Sequence, residues 1–232
     1  MRRLVDHAIV LRRVDYGEAD RIVSLLSRQN GKITLFARAV RKPKSKLAGG
    51  IELFAVNEVT YIPGRGDMMT LVSAQVTQPF ESIVRDYDRT MLAYRLLKAV
   101  DALTEDTVDE SYYTFLMHGL AALDDAQLPD DKLILWLAVR LLALHGSMPN
   151  VLRDTHGAAL NPEDTYQFSF EDMGFYPDDN GIYRADTVKL FRLCASSESV
   201  ATIKRVQVDQ AVISEARLLA QRIVNESLHV DL

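Results

Sequence analysis

The chain has 232 residues, 48% of them hydrophobic and 25% charged, enough for two domains with sizeable cores. Its formal net charge of −5 excludes a polycation overall, and its single cysteine, Cys194, excludes an internal disulfide and a cysteine-rich zinc site. The charge is unevenly placed: residues 1–78 carry 13 Lys and Arg against 7 Asp and Glu, a net of +6, and the remainder carries 14 against 25, a net of −11. Such asymmetry marks an interaction surface that the average conceals.

The N-terminus opens on charges and then alternates like a strand, without the apolar core of a signal peptide. Residues 7–14, 20–27 and 31–38 read as strands, separated by the turn-forming Asp15-Tyr16-Gly17-Glu18 and Arg28-Gln29-Asn30-Gly31. The third alternates cleanly, with Ile33, Leu35 and Ala37 on one face and Lys32, Thr34, Phe36 and Arg38 on the other. The stretch 38–46 follows, with five cations (Arg38, Arg41, Lys42, Lys44, Lys46), a proline and no acid. Pro43 and the polar residues exclude a core strand, so a mobile, positive loop is expected at the mouth of a small β-domain. Further strands are expected at 51–54, 57–62 and 69–76, the last two joined by a turn at 63–67. Five or six short strands in under ~80 residues predict a small closed barrel or sandwich.

Gln78-Pro79 marks a boundary, beyond which the apolar period changes from 2 to 3.6. Leu92, Leu96, Ala99 and Leu103 form one helical stripe, and Tyr112, Leu116, Leu120 and Leu123 a second. Residues 133–144 are apolar almost all round and predict a central helix, started by Pro129, Asp130 and Asp131 and ended by Gly146. Its twelve residues are too few to cross a bilayer, so no membrane association is expected. Residues 146–184 lose the helical period and predict an irregular insertion with a small hairpin around Tyr166-Gln167-Phe168-Ser169-Phe170. Helices resume near Asp186 and at 207–227.

None of the five histidines falls at the i, i+4 spacing of a metal pair or beside a nucleophile motif. The carboxylate pairs lie at helix ends and in loops, and Gly64-Arg65-Gly66 lacks the rest of a dinucleotide fingerprint. No enzyme is expected. Nucleic-acid binding is better supported. Lys32, Phe36 and Arg38 on one strand face would stack bases and neutralise phosphates, unless Phe36 is buried under the helical domain. The cations at 41, 42, 44 and 46 suit a polyanion, and Arg65 is a further candidate in its turn. Arg140, the one charge in the apolar helix, either meets helix-end carbonyls or captures an acidic peptide carboxylate.

Gly17-Glu18-Ala19-Asp20, Gly31-Lys32, Ala37-Arg38-Ala39-Val40-Arg41-Lys42-Pro43-Lys44-Ser45, Leu53-Phe54 and Gly64-Arg65-Gly66-Asp67 together resemble the N-terminal half of RecO proteins, bacterial recombination mediators. After residue 78 the resemblance is one of layout, with Gly146-Ser147-Met148-Pro149 matching a Gly-x-x-Pro landmark. It implies an α+β, multidomain chain: an OB-fold at 1–78, then a helical domain at 79–232 with a zinc-module-like insertion at 146–184. It also implies binding of single- and double-stranded DNA, strand annealing, and help in loading RecA on strands coated by single-stranded-DNA-binding protein (SSB). The implied partners are RecR and the acidic C-terminal tail of SSB, and the implied place is the cytoplasm at the nucleoid.

Two departures stand out. The family usually has Gly where this chain has Ala39, which implies a different loop path if that Gly takes positive φ. Arg153-Asp154-Thr155-His156 replaces the first cysteine pair of the zinc module, and no cysteine lies near 177–181. No zinc, and no other cofactor, is therefore expected; a small core of Phe168, Phe170, Phe175 and Tyr183 would hold the insertion. The competing expectation is an OB-fold protein-interaction scaffold whose basic loop binds an acidic partner protein.

Overall fold

The computed structural model describes residues 3–64, 68–104 and 109–232, in two compact units, Met1–Asp125 and Ala126–Leu232. In the first unit, strands β1 (Leu4–Tyr16), β2 (Asp20–Ser27), β3 (Gly31–Ala37), β4 (Ala55–Ile62) and β5 (Met68–Pro79) close a barrel in the order β1-β2-β3-β5-β4. All pairings are antiparallel except β3 with β5, which close the barrel in parallel through 34–36 and 68–70. β1 is long enough to pair with both β2 and β4, and a register shift between Val10 and Arg12 bends it around the barrel. Of the barrel or sandwich that the strand count predicts, this is the closed barrel, OB-like as the resemblance implies.

The alternation in β3 is realised: Ile33, Leu35 and Ala37 are buried in a core shared with Ala8, Val10, Val23, Leu25, Val59 and Tyr61. The expected strand at 51–54 does not form. Phe54 takes φ of 55°, which no strand residue adopts, and Ile51 is buried in the barrel core together with Val40 from the other end of the same loop. The apolar run there plugs the barrel rather than extending its wall. Gly50 permits this, because the backbone of Ala74 occupies the space that a Cβ would need.

Helices α1 (Tyr87–Leu103) and α2 (Glu110–Asp124) complete the first unit. Asp86 and Asp109 cap their N-termini through their side chains. The guanidinium of Arg89, on α1, is buried and donates to the carbonyls of Leu123 and Asp125 at the end of α2. The sequence places a domain boundary after residue 78; the compact units divide after Asp125, so α1 and α2 belong with the barrel. Lys32 pairs with Asp101 of α1 at 2.7 Å, and Arg28 with Glu110 of α2 at 2.7 Å.

The second unit is built on α3 (Asp130–His145), whose buried residues include Leu133, Leu135, Trp136, Leu137, Val139 and Leu142. Gly146 ends it in the left-handed conformation (φ 78°), which lets the Ser147 N–H reach the Leu142 carbonyl. A three-stranded sheet follows, β6 (Thr165–Ser169), β7 (Gly174–Pro177) and β8 (Tyr183–Arg184), in the order β7-β6-β8. Then come α4 (Ala185–Ser196), α5 (Ala201–Lys204) and α6 (Gln210–Leu228). Phe175 is fully buried and meets Tyr166, Phe168, Tyr183 and Phe191 edge-to-face, so the four rings expected to hold the insertion belong to one aromatic cluster that α4 completes. Among the described residues no helix is long and apolar enough to cross a membrane.

Candidate nucleic-acid interface

Strand register places the outward side chains of the barrel. Arg12, Ser24 and Thr34 lie opposite one another across β1, β2 and β3, and Val14, Ile22 and Phe36 make the next row. Beyond them Tyr16, 56% exposed, meets the Phe36 ring edge-to-face with centroids 5.8 Å apart. Phe36 itself is half-buried, so part of its ring stays open to solvent. Two rings on a half-apolar strand surface form a platform on which unstacked bases can lie.

The loop 38–46 borders this platform as consecutive turns. Ala39 holds φ at 53°, and its N–H donates to the Asp20 carboxylate at 2.6 Å. The next links are Lys42 N–H to the Ala39 carbonyl, 3.2 Å, and Ser45 N–H to the Lys42 carbonyl, 2.9 Å. The Arg41 N–H donates to the Ala19 carbonyl, tying the loop to the β1–β2 turn. Arg38, Lys42, Lys44 and Lys46 are exposed, and no described carboxylate pairs with any of them. Arg41 differs: its guanidinium lies 3.4 Å from Asp15, which also accepts from Arg21 at 2.8 Å. The Arg21 hydrogen bond, with Arg41 and Arg13 adding their charge, holds the Asp15 carboxyl below the usual aspartate range. One acid thus orients two arginines at the barrel mouth and leaves the local charge positive.

Lys32 does not act as the free cation that its outward register suggests. Its ammonium is 2.7 Å from the Asp101 carboxylate and donates to the Asp101 backbone carbonyl at 2.8 Å, with the side chain only 16% exposed. Strand register turns it outward, but α1 covers that end of the face. Arg65 lies outside the described residues. Arg140 donates to the Ala195 carbonyl in the last turn of α4 at 2.5 Å, so it meets helix-end carbonyls, those of a neighbouring helix rather than its own. Sequence reading missed Tyr16, because it lies within a stretch that composition marks as a turn. The strand continues through it to Asp15↔Arg21 and Tyr16↔Asp20.

In the insertion, Asp154 accepts from the N–H groups of His156 and Ala158, both at 2.9 Å, and the Arg153 guanidinium donates to the Gly157 carbonyl at 2.7 Å. The carboxylate that would have to ligate a metal is given to its own loop. Cys194 is buried, its thiol pushed up to about 12 by desolvation. These residues do not fit a tetrahedral zinc site.

Residues 1–80 match the family model described as Recombination protein O N terminal. The whole chain is similar to curated proteins named DNA repair protein RecO. That of Acetivibrio thermocellus is 27% identical over 98% of this chain and 93% of the relative. That of Dehalococcoides mccartyi is 28% identical over 91% and 85%. That of Thermodesulfovibrio yellowstonii is 30% identical over 62% and 57%.

Proposed function

The chain belongs to the RecO family, and from that premise we propose that it acts in recombinational DNA repair as a strand-binding mediator, not as a catalyst. In this reading it binds single- and double-stranded DNA, anneals complementary strands and helps load RecA on SSB-coated DNA, in the cytoplasm at the nucleoid. RecR and the acidic SSB tail are its partners, the tail drawn to a basic pocket for which Arg140 is a candidate through the guanidinium nitrogens not given to Ala195.

The observation that carries the reading is the exposed Tyr16 ring on the half-buried Phe36, bordered by four cations of loop 38–46 that pair with no described carboxylate. Bases stack on the rings while Arg38, Lys42, Lys44 and Lys46 replace the counterions of the phosphates. Neutralising two strands at once lowers the repulsion that opposes pairing, which is the physical content of annealing. The net −11 of residues 79–232 biases DNA toward the barrel side of the chain.

The test is fluorescence anisotropy of a labelled single-stranded oligonucleotide across a salt series. Tight binding with a steep negative slope of log affinity on log salt is expected. Replacing Arg41, Lys42, Lys44 and Lys46 by Ala should flatten that slope by roughly 2 to 3, at about 0.7 per phosphate contact. No binding by the native protein at low salt would sink the reading and leave the protein-interaction scaffold in its place.

A further inference from the structure

Helix α1 shows solvent more than a polar face. Tyr87, Met91 and Tyr94, spaced i, i+4, i+7, are 77%, 41% and 46% exposed. A helix on a soluble domain ordinarily turns charge to water there. Toward its C-terminal half the same surface carries Arg95 and Lys98, both exposed and paired with no described carboxylate. Tyr94 packs edge-to-face on Phe54, ring centroids 5.0 Å apart, and with Leu53, Val14, Arg12 and Arg13 it lines a groove of about 620 Å³. That volume lies within the roughly 300–1,000 Å³ typical of ligand clefts. Val14 pairs with Ile22, and Ile22 with Phe36, so the groove wall and the aromatic platform share one row of the barrel face.

The geometry points to this groove, with the Tyr94–Lys98 half of α1, as a second seat for single-stranded nucleic acid leaving the barrel face. The inference rests on the DNA-binding reading above and extends it to a defined path. A base stacks against Tyr94 and Leu53, and Arg12, Arg95 and Lys98 meet the flanking phosphates. An apolar helix would match Tyr94 and Leu53 but would bury Arg95 and Lys98 without partners; a polyanion with π-faces satisfies both. The acids of the groove do not oppose this. Glu52 lies 3.3 Å from Arg13, Asp15 is held by Arg21 and Arg41, and Asp101, 3.9 Å from Arg12, is held more closely by Lys32 at 2.7 Å. The other end of the helix, where Tyr87 adjoins Asp88 near Glu81, lacks this positive balance and lies outside the proposed path.

The test compares oligothymidylates of about 5, 10 and 20 nucleotides, a span covering the usual 4–16 per OB-fold. Anisotropy is read for the native protein, Tyr94→Ala, Tyr94→Phe and the double variant Arg95→Glu/Lys98→Glu, with thermal melts to verify folding. Tyr94→Ala should weaken the longest strand roughly tenfold, the loss of one base stack, and leave the shortest unchanged. Tyr94→Phe should behave as native, and the double variant should lose at least as much on the longest strand. If the native protein binds but the folded variants hold the longest strand within about twofold of it, the groove is off the path while the barrel reading stands. The double variant decides this even if Tyr94→Ala fails to fold, since both its positions are exposed. If the native protein binds no strand, both readings fall.

Discussion

The Asp20 carboxylate accepts a 2.6 Å hydrogen bond from the backbone of Ala39, which stands in the left-handed region at φ 53°. The resemblance to RecO leads to the expectation of a different loop path at this position, where glycine is usual. The chain keeps the left-handed turn, and the charge-assisted bond from β2 offsets the strain of a Cβ there.

Ala39→Gly should therefore stabilise the protein, by up to about 1 kcal/mol once the extra freedom of glycine in the unfolded chain is subtracted. Denaturation followed by circular dichroism measures this, and a loss of stability would contradict the strain argument. Asp20→Ala should act in the opposite direction.

Lys32→Met should destabilise without weakening DNA binding. It takes the nearer of two cations from the partly buried Asp101, leaving only Arg12 at 3.9 Å, at a cost of about 1–3 kcal/mol. A flattened salt slope in the folded variant would return Lys32 to the phosphate contacts.

Asp15 should titrate below the ordinary 3.8 of an aspartate, as read by carboxyl carbon resonances. A depressed folded-state value means that its pairing contributes at neutral pH and is lost as pH falls through that value. Arg21→Ala removes the largest cause and should move the midpoint upward. An unmoved midpoint would show that Arg21 does not orient this acid.

Phe175→Ala should cost about 3–5 kcal/mol, the usual penalty for emptying a buried aromatic site. Phe175 touches Tyr166, Phe168, Tyr183 and Phe191, so its loss loosens the sheet from α4. Trp136, the lone tryptophan and fully buried in the same unit, reports the shifted denaturation midpoint through its fluorescence. A shift under about 1 kcal/mol would mean that the insertion is held elsewhere.

Local pattern alone determined the strands, the barrel class, the helical second half and the basic loop. Each rests on short-range physics: the period-2 burial of Ile33, Leu35 and Ala37, the turn chemistry of Asn30-Gly31, and the α3 run from Asp130 to its Gly146 stop. The aromatic cluster of the insertion was legible for a similar reason, since a segment without metal ligands has only its rings to bury. Tertiary structure decided what depends on distant neighbours. Residues 51–54 have the composition of a strand, yet they plug the barrel because Ala74 admits Gly50 against it. Lys32 alternates outward like a free cation, yet Asp101, far along the chain, claims its charge. Tyr16 reads as a turn residue until strand pairing sets it beside Phe36. Periodicity encodes which face a side chain takes; only packing determines what stands opposite that face, and hence whether a charge or a ring remains available to a ligand.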